Sequence, residues 1–181
     1  KHFTDNTLRI DYTFVGNAEN QLIALDELCC EKGWAGRRVN LASVPVKGNG
    51  EICVKDAVSG AILYRNTFSS LFQEWIVTDE ATQVTKSFEA TMLVPYPTHP
   101  VQIDITLFNN EGKVAATLSH KVNPDDKLIR RNHAEPAPHK YLLKSGSDEE
   151  CIDVAIVAEG YTAAEMELFL KDAGTACDEI L

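Results

Sequence analysis

The sequence predicts a mainly β protein: an antiparallel β-sandwich followed by the first strand and helix of an α/β domain. Three observations lead to this prediction. Short alternating or apolar runs recur through residues 1–123, with turn residues between most of them, as in Ig-like or jelly-roll-like sandwiches. Residues 124–150 contain prolines and charges without periodicity, which indicates a linker. Residues 151–181 join a continuous apolar run to a helical pattern.

The first strands are predicted from their patterns and turns. Residues 8–14 alternate between apolar and polar side chains, which is typical of a sheet with one face in water. Residues 21–30 also fit a helix, but their β context favours a strand. Residues 51–57 and 61–68 flank Gly60, which can supply the positive φ of a hairpin turn.

The middle of the chain is less regular. Residues 69–75 predict either a short helical turn or an irregular crossover. In either case one end of the sandwich would be capped by four apolar side chains, Phe68, Leu71, Phe72 and Trp75. Residues 84–94 predict a strand that ends at Pro95. Residues 101–107 and 113–122 predict two more strands around a turn at 109–112, which ends with Gly112.

The last stretch decides the domain organisation. Residues 151–158 are apolar on both alternating faces apart from Asp153, which predicts a strand covered on both sides. Gly160 ends it, and Thr162 with Glu165 forms a capping box that predicts a helix start. The predicted helix runs to the chain end with one apolar stripe, formed by Met166, Phe169, Leu170, Ala173, Cys177 and Leu181.

This apolar segment has to be buried somewhere. Burying the side chains of Ile152, Val154, Ile156 and Val157 is worth roughly 1.5–3 kcal/mol each. Either the segment adds to the sheet of the preceding domain, or it begins a second domain. We expect the second, with the remainder of that domain outside this chain.

Composition narrows the function classes. The net charge of −10 argues against nucleic acid and anionic membranes as partners. Residues 148–181 carry ten Asp and Glu against one Lys, so the acidity lies mostly there. No run of about 18 apolar residues occurs, so no membrane span is predicted. The five cysteines include no Cys-x-x-Cys pair, so neither a zinc site nor a disulfide framework is indicated; the adjacent Cys29 and Cys30 are expected to be reduced, although a bridge from either one to Cys53 stays open.

A few residues are candidates for a site. Glu159 and Tyr161 follow the carboxyl end of the predicted strand and could line a cleft, with turn chemistry as the plainer interpretation. Trp34 and Trp75 could contact a ligand or another domain, but burial in the core is favoured. His133, Glu135 and His139 lie close together in sequence and could touch a metal; exposed linker side chains are favoured instead, and no catalytic or metal residue is assigned.

Several blocks resemble the immunoglobulin A peptidase family of zinc metallopeptidases. They include Leu-Arg-Ile-Asp-Tyr at 8–12, Gly-Trp-Ala-Gly at 33–36, Leu-Phe-Gln-Glu-Trp at 71–75, Lys-Ser-Phe-Glu at 86–89 and Ala-Glu-Gly-Tyr-Thr at 158–162. The resemblance covers nearly the whole chain. It implies an N-terminal β-sandwich and the start of a zinc-dependent catalytic domain, in a secreted, periplasmic or surface bacterial protein.

The resemblance assigns no catalytic residue here, because the zinc-binding H-E-x-x-H of the family matches no position of this chain. It implies zinc in the full-length protein, a C-terminal catalytic domain as partner, and a protein substrate. We therefore expect the non-catalytic N-terminal part of a zinc endopeptidase, inactive alone. The alternatives are a glycan- or protein-binding module of a cell-surface protein and a purely structural sandwich.

Overall fold

A computed structural model of the chain describes residues 1–44, 46–132, 138–147 and 151–180. Eight strands form in the described part: β1 (Phe3–Gly16), β2 (Gln21–Lys32), β3 (Gly50–Asp56), β4 (Ile62–Phe68), β5 (Lys86–Pro97), β6 (Val101–Phe108), β7 (Val114–Val122) and β8 (Arg130–Asn132). Two α-helices are α1 (Leu71–Trp75) and α2 (Met166–Ile180), and two 3-10 turns span Glu80–Thr82 and Ala163–Glu165. The mainly β fold class is confirmed.

Two four-stranded sheets build the sandwich. Their strand orders are β5-β1-β2-β8 and β4-β3-β6-β7, and every pairing is antiparallel except that of β2 with β8. The predicted alternation of β1 is confirmed, because its inward-facing side chains Leu8, Ile10, Tyr12 and Phe14 are almost fully buried. They share one core with Ile103, Ile105 and Leu107 of the facing sheet.

The turns follow the predicted chemistry. Gly60 has a φ of 72° in the β3–β4 hairpin, where it donates its N–H to the Asp56 carbonyl. Gly112 has a φ of 75° in the β6–β7 turn. Residues with a Cβ rarely adopt such values, so glycine suits both positions.

Three details of the sandwich differ from prediction. Strand β5 continues through Pro95 and Pro97 instead of ending before them, because it is an edge strand and loses no ladder bond to a missing N–H. Residues 130–132, predicted as linker, pair in parallel with residues 29–31 of β2, and Ile129 joins the core. A three-residue strand is too short to show periodicity in sequence. Leu71 does not cap the sandwich, because its side chain is 71% exposed.

The chain divides into two compact units, Lys1–Ala134 and Glu135–Leu181. In the second unit the predicted capping box is confirmed: the Glu165 carboxylate accepts hydrogen bonds from the Thr162 N–H at 2.9 Å and hydroxyl at 2.6 Å. These bonds lower the pKa of Glu165. The helix follows as predicted, with Ala173 buried and four stripe residues half-buried, Met166, Phe169, Leu170 and Cys177. The remaining stripe residue, Leu181, lies outside the described residues.

The strand predicted at 151–158 does not form. Neither four-stranded sheet includes residues 151–158. Four apolar side chains in this segment are exposed, by 91% at Ile152, 73% at Val154, 39% at Ile156 and 79% at Val157. A strand requires a neighbouring backbone, and no described residue accepts a hydrogen bond from the amides of 152–157.

Candidate functional site

Trp34 lies in the loop between β2 and β3, where it is a packing residue. Only 8% of it is exposed, and its ring meets the Tyr64 ring edge-on at 5.9 Å. The indole N–H donates to the Arg37 carbonyl at 2.9 Å. The burial of both its apolar face and its polar atom leaves little of this side chain for a ligand.

The two arginines that follow hold this loop together. The guanidinium of Arg37 donates to the backbone carbonyls of three loop residues, Asn40, Leu41 and Ser43, and to that of Arg65 in β4. Arg38 donates to the Trp34 carbonyl at 2.8 Å and pairs with Asp5 at 2.8 Å. Since their donors are used within the chain, these residues shape the loop between the sheets.

Trp75 belongs to an aromatic cluster at one end of the sandwich. The Ser70 hydroxyl caps α1 by accepting from the Gln73 N–H at 3.2 Å. This helix places the half-buried Trp75 ring 5.5 Å from Phe88 and 6.1 Å from Phe72. Its indole N–H donates to Glu80 at 2.8 Å. The ring partners of Trp75 differ from those of Trp34, and the structure does not bring the two tryptophans together.

A cleft of about 310 Å³ opens beside this aromatic cluster. Its lining comes from the core residue Phe14, the end of β4, the start of α1 and the middle of β5, and consists of Phe14, Phe68, Ser69, Ser70, Leu71, Phe72, Phe88, Glu89, Ala90, Thr91 and Met92. Sequence reasoning did not find it. The signal that could have shown it is the alternation of Phe88, Ala90 and Met92 in a strand rich in polar residues.

A second, more polar depression of about 290 Å³ lies over the outer face of β3, β4 and β6. Buried Cys53 sits there between Arg65 and Asp104 of the neighbouring strands. Arg65 pairs with Glu51 at 2.7 Å, and Lys55 pairs with Asp104 at 2.6 Å. Burial raises the pKa of the Cys53 thiol, so the thiolate that would react is disfavoured.

All five cysteines are free thiols, which for Cys29 and Cys30 is the expected state. Cys29 and Cys30 are both buried, with Cys30 in the shared core. The bridge from either one to Cys53 is not formed.

His120 is a hydrogen-bonded histidine at the edge of the core. Its Nε2 lies 2.7 Å from the Tyr12 hydroxyl. Burial raises the pKa of Tyr12, so the phenol stays protonated, and the tautomer of the imidazole decides which of the two groups donates this bond. Burial also lowers the pKa of His120, and its buried Nδ1 has no hydrogen-bond partner among the described residues.

We expect this histidine to make stability depend on pH. Its pKa in the folded chain lies below the unfolded value of about 6.5, so between the two values the unfolded chain binds more protons. The free energy of unfolding should therefore fall as the pH drops from about 7.5 to 5.5. Urea unfolding across this range should show a smaller fall for His120→Gln; an equal fall would contradict the assignment.

Glu159 and Tyr161 lie in the second unit. Glu159 is exposed, and its N–H donates to the Val157 carbonyl at 3.0 Å. The Tyr161 hydroxyl donates to Asp172 of α2 at 2.9 Å, which raises the pKa of Tyr161, and its ring meets Phe169 at 5.3 Å. Neither residue lines the two cavities described above. Tyr161 is therefore held against the first turns of α2 by its hydroxyl and its ring.

Zinc does not fit the residues that the structure describes. Across residues 1–44, 46–132, 138–147 and 151–180, no three His, Cys, Asp or Glu side chains are grouped to hold a metal. His133 and Glu135 of the weaker metal hypothesis lie outside the described residues, and His139 contacts Tyr141. No helix in the described part is long and apolar enough to cross a membrane.

Comparison with known families resolves the nature of the sandwich. The family described as "Peptidase M64 N-terminus" matches residues 1–119, which contain β1 to β6 and most of β7. The chain belongs to this family. The sandwich is thus the N-terminal domain of a peptidase family, and the resemblance to a peptidase is confirmed at that level. No curated protein matches the chain.

Proposed function

We propose that this chain is the non-catalytic N-terminal part of a secreted bacterial zinc metallo-endopeptidase resembling the immunoglobulin A peptidases. The observation that carries the proposal is the match of residues 1–119 to the N-terminus of a peptidase family. The sandwich has a core of its own, so it can serve as a rigid support. Bracing the catalytic domain and holding a protein substrate are the two roles that such a support can fill.

The second unit supplies the connection to catalysis in this proposal. Its segment 151–158 has the composition of a doubly covered strand, yet its apolar side chains are exposed. Pairing with strands of a catalytic domain would satisfy its backbone and bury Ile152, Val154 and Val157. The capped helix α2 would then cover one face of that sheet with its half-buried stripe.

Zinc belongs to the catalytic domain in this proposal, and its ligands are expected outside the described residues. No step of peptide hydrolysis is assigned to any residue of this chain. The chain should act through structure and binding.

The test is a peptidase assay on the purified 181-residue chain. With equimolar zinc and a denatured protein as substrate, we expect no hydrolysis above that of a zinc-free sample. Zinc-dependent cleavage that a chelator abolishes would contradict the proposal. Reading the gene beyond the codon for Leu181 should reveal an H-E-x-x-H motif, and a reading frame without one would also count against it.

A protein-binding module is the second candidate. The specific observation in its favour is the apolar cleft beside an edge strand. A glycan platform has less support, because Trp34 is buried and Trp75 packs on Phe72 and Phe88.

A further inference from the structure

Strand β5 has an edge that no strand of the described chain occupies. It is the terminal strand of its sheet and pairs only with β1. Pro95 and Pro97 have no N–H, so these positions must direct their nitrogens away from β1. Alternate residues share that direction, and the N–H groups of residues 87, 89, 91 and 93 therefore point to the open edge.

The prolines divide this edge into two parts. At residues 95–97 it is blocked, because proline offers no donor to an incoming strand. From residue 87 to 93 donors and acceptors are available for an added strand. The free part therefore has a defined length and position.

The apolar cleft lies along this free part. Phe88, Ala90 and Met92, on the inner face of β5, are only half-buried, and they form one wall of the cleft. Phe68 and Leu71 also belong to its lining. A strand added to β5 would place every second side chain in this cleft, because side chains alternate between the two faces of a sheet.

The charge beside the cleft is negative. Glu89 is the charged member of its lining, but it alternates with Phe88 and Ala90, so its side chain lies on the outer face of β5, exposed and without an ion pair in the described part of the chain. Lys86, which comes just before the free part of the edge, is already paired with Glu80 at 2.7 Å. An added strand would gain most from a cation beside Glu89, on the face opposite the cleft.

We propose that the free edge of β5 binds an extended, basic, amphipathic segment of a protein as an added β-strand. Apolar side chains of that segment enter the cleft, and Lys or Arg side chains on its other face lie beside Glu89. Backbone hydrogen bonds supply affinity and the alternating pattern supplies selectivity. The proposal deepens the proposed function by naming a class of protein substrate. Binding at the edge is argued from the geometry of β5, and only the role of the bound segment as a substrate rests on the proposed function.

The binding test uses the full 181-residue chain at a concentration at which sedimentation shows a monomer. The probe is a fluorescent peptide of about eight residues that alternates Val and Lys. Two control peptides alternate Val and Glu, or carry the same Val and Lys residues in two blocks. We expect the alternating Val-Lys peptide to bind at least about tenfold more tightly than either control, a difference of about 1.4 kcal/mol.

Matched variants separate the edge from the charge. Leu93→Pro removes an outward donor and should abolish binding, whereas Leu93→Thr keeps the donor and should retain it. Glu89→Lys should transfer the preference to the Val-Glu peptide, whereas Asp125→Lys, outside β5, should not. Ser87→Pro serves as the second edge variant if circular dichroism shows that Leu93→Pro does not fold.

Three results would overturn the proposal: equal binding of all three peptides, unchanged binding by folded Leu93→Pro or Ser87→Pro, or, in sedimentation at higher concentration, a dimer that these proline variants dissociate. The last would make a second copy of the chain the occupant of the edge. None of these results depends on the zinc assay, so failure of this site and failure of the proposed function are distinguishable.

Discussion

Replacing Phe72 with alanine should lower the free energy of unfolding by about 3–5 kcal/mol. The Phe72 side chain has 0% exposure and contacts three other aromatic rings, those of Phe14, Trp75 and Phe88. Truncation removes this contact area and leaves a cavity at the end of the core. A domain of this kind has a total stability of about 5–15 kcal/mol, so the loss should be evident in urea unfolding.

The neighbouring residue provides the control. Leu71 lies in the same helix but is 71% exposed, so Leu71→Ala should change the free energy of unfolding by less than about 0.5 kcal/mol. Equal losses for the two variants would contradict the packing described for α1. The Leu71→Ala variant also alters the lining of the cleft without removing a core residue, since Leu71 lines the cleft but does not belong to the core.

Trp34→Ala should cause a loss of similar size, about 3–5 kcal/mol. Its ring fills the space against Tyr64, and its N–H satisfies the Arg37 carbonyl. Gly36 is pressed against the same ring, because a Cβ at this position would lie 2.2 Å from it. Removing the ring should therefore loosen the whole loop between β2 and β3.

Trp75→Ala is the comparison for this variant. Trp75 is half-buried, so the same truncation should cost less stability than at Trp34. Chemical denaturation of both variants measures the difference. A Trp34→Ala chain as stable as the parent would contradict a packing role and return Trp34 to the set of ligand candidates.

The sequence predicted most of the sandwich because its strands are amphipathic. In β1 the buried and exposed side chains alternate, and a sheet with one wet face enforces that pattern. Glycines at 60 and 112 marked two of the turns. Strand order was not predictable, since pairing β1 with both β2 and β5 depends on contacts between residues far apart in the chain.

The errors have physical reasons of the same kind. Whether a proline ends a strand depends on whether its nitrogen faces a neighbouring strand, and in the edge strand β5 the nitrogens of Pro95 and Pro97 can face the open edge. The three-residue strand β8 is recruited by β2 rather than by its own pattern. The cleft was missed because it exists only where β5 and α1 meet.

The segment 151–158 shows the limit of reasoning from pattern. Its residues have the composition of a covered strand, and the sequence gives a physical reason to bury them. In the structure these side chains are exposed and belong to neither sheet. The composition indicates that the segment should be buried and paired, and only a neighbouring chain segment can bury it and pair with its backbone.

Hydrogen exchange of the 181-residue chain tests the central claim most directly: a self-sufficient sandwich is joined to an apolar segment that lacks its partner strands. The amides of residues 152–157 should exchange close to the rate of an unstructured peptide, while those of 8–14 and 103–107 that bond within the sheets should be strongly protected. Protection of 152–157 comparable with that of the core strands would show that the segment is already paired, and would contradict the account.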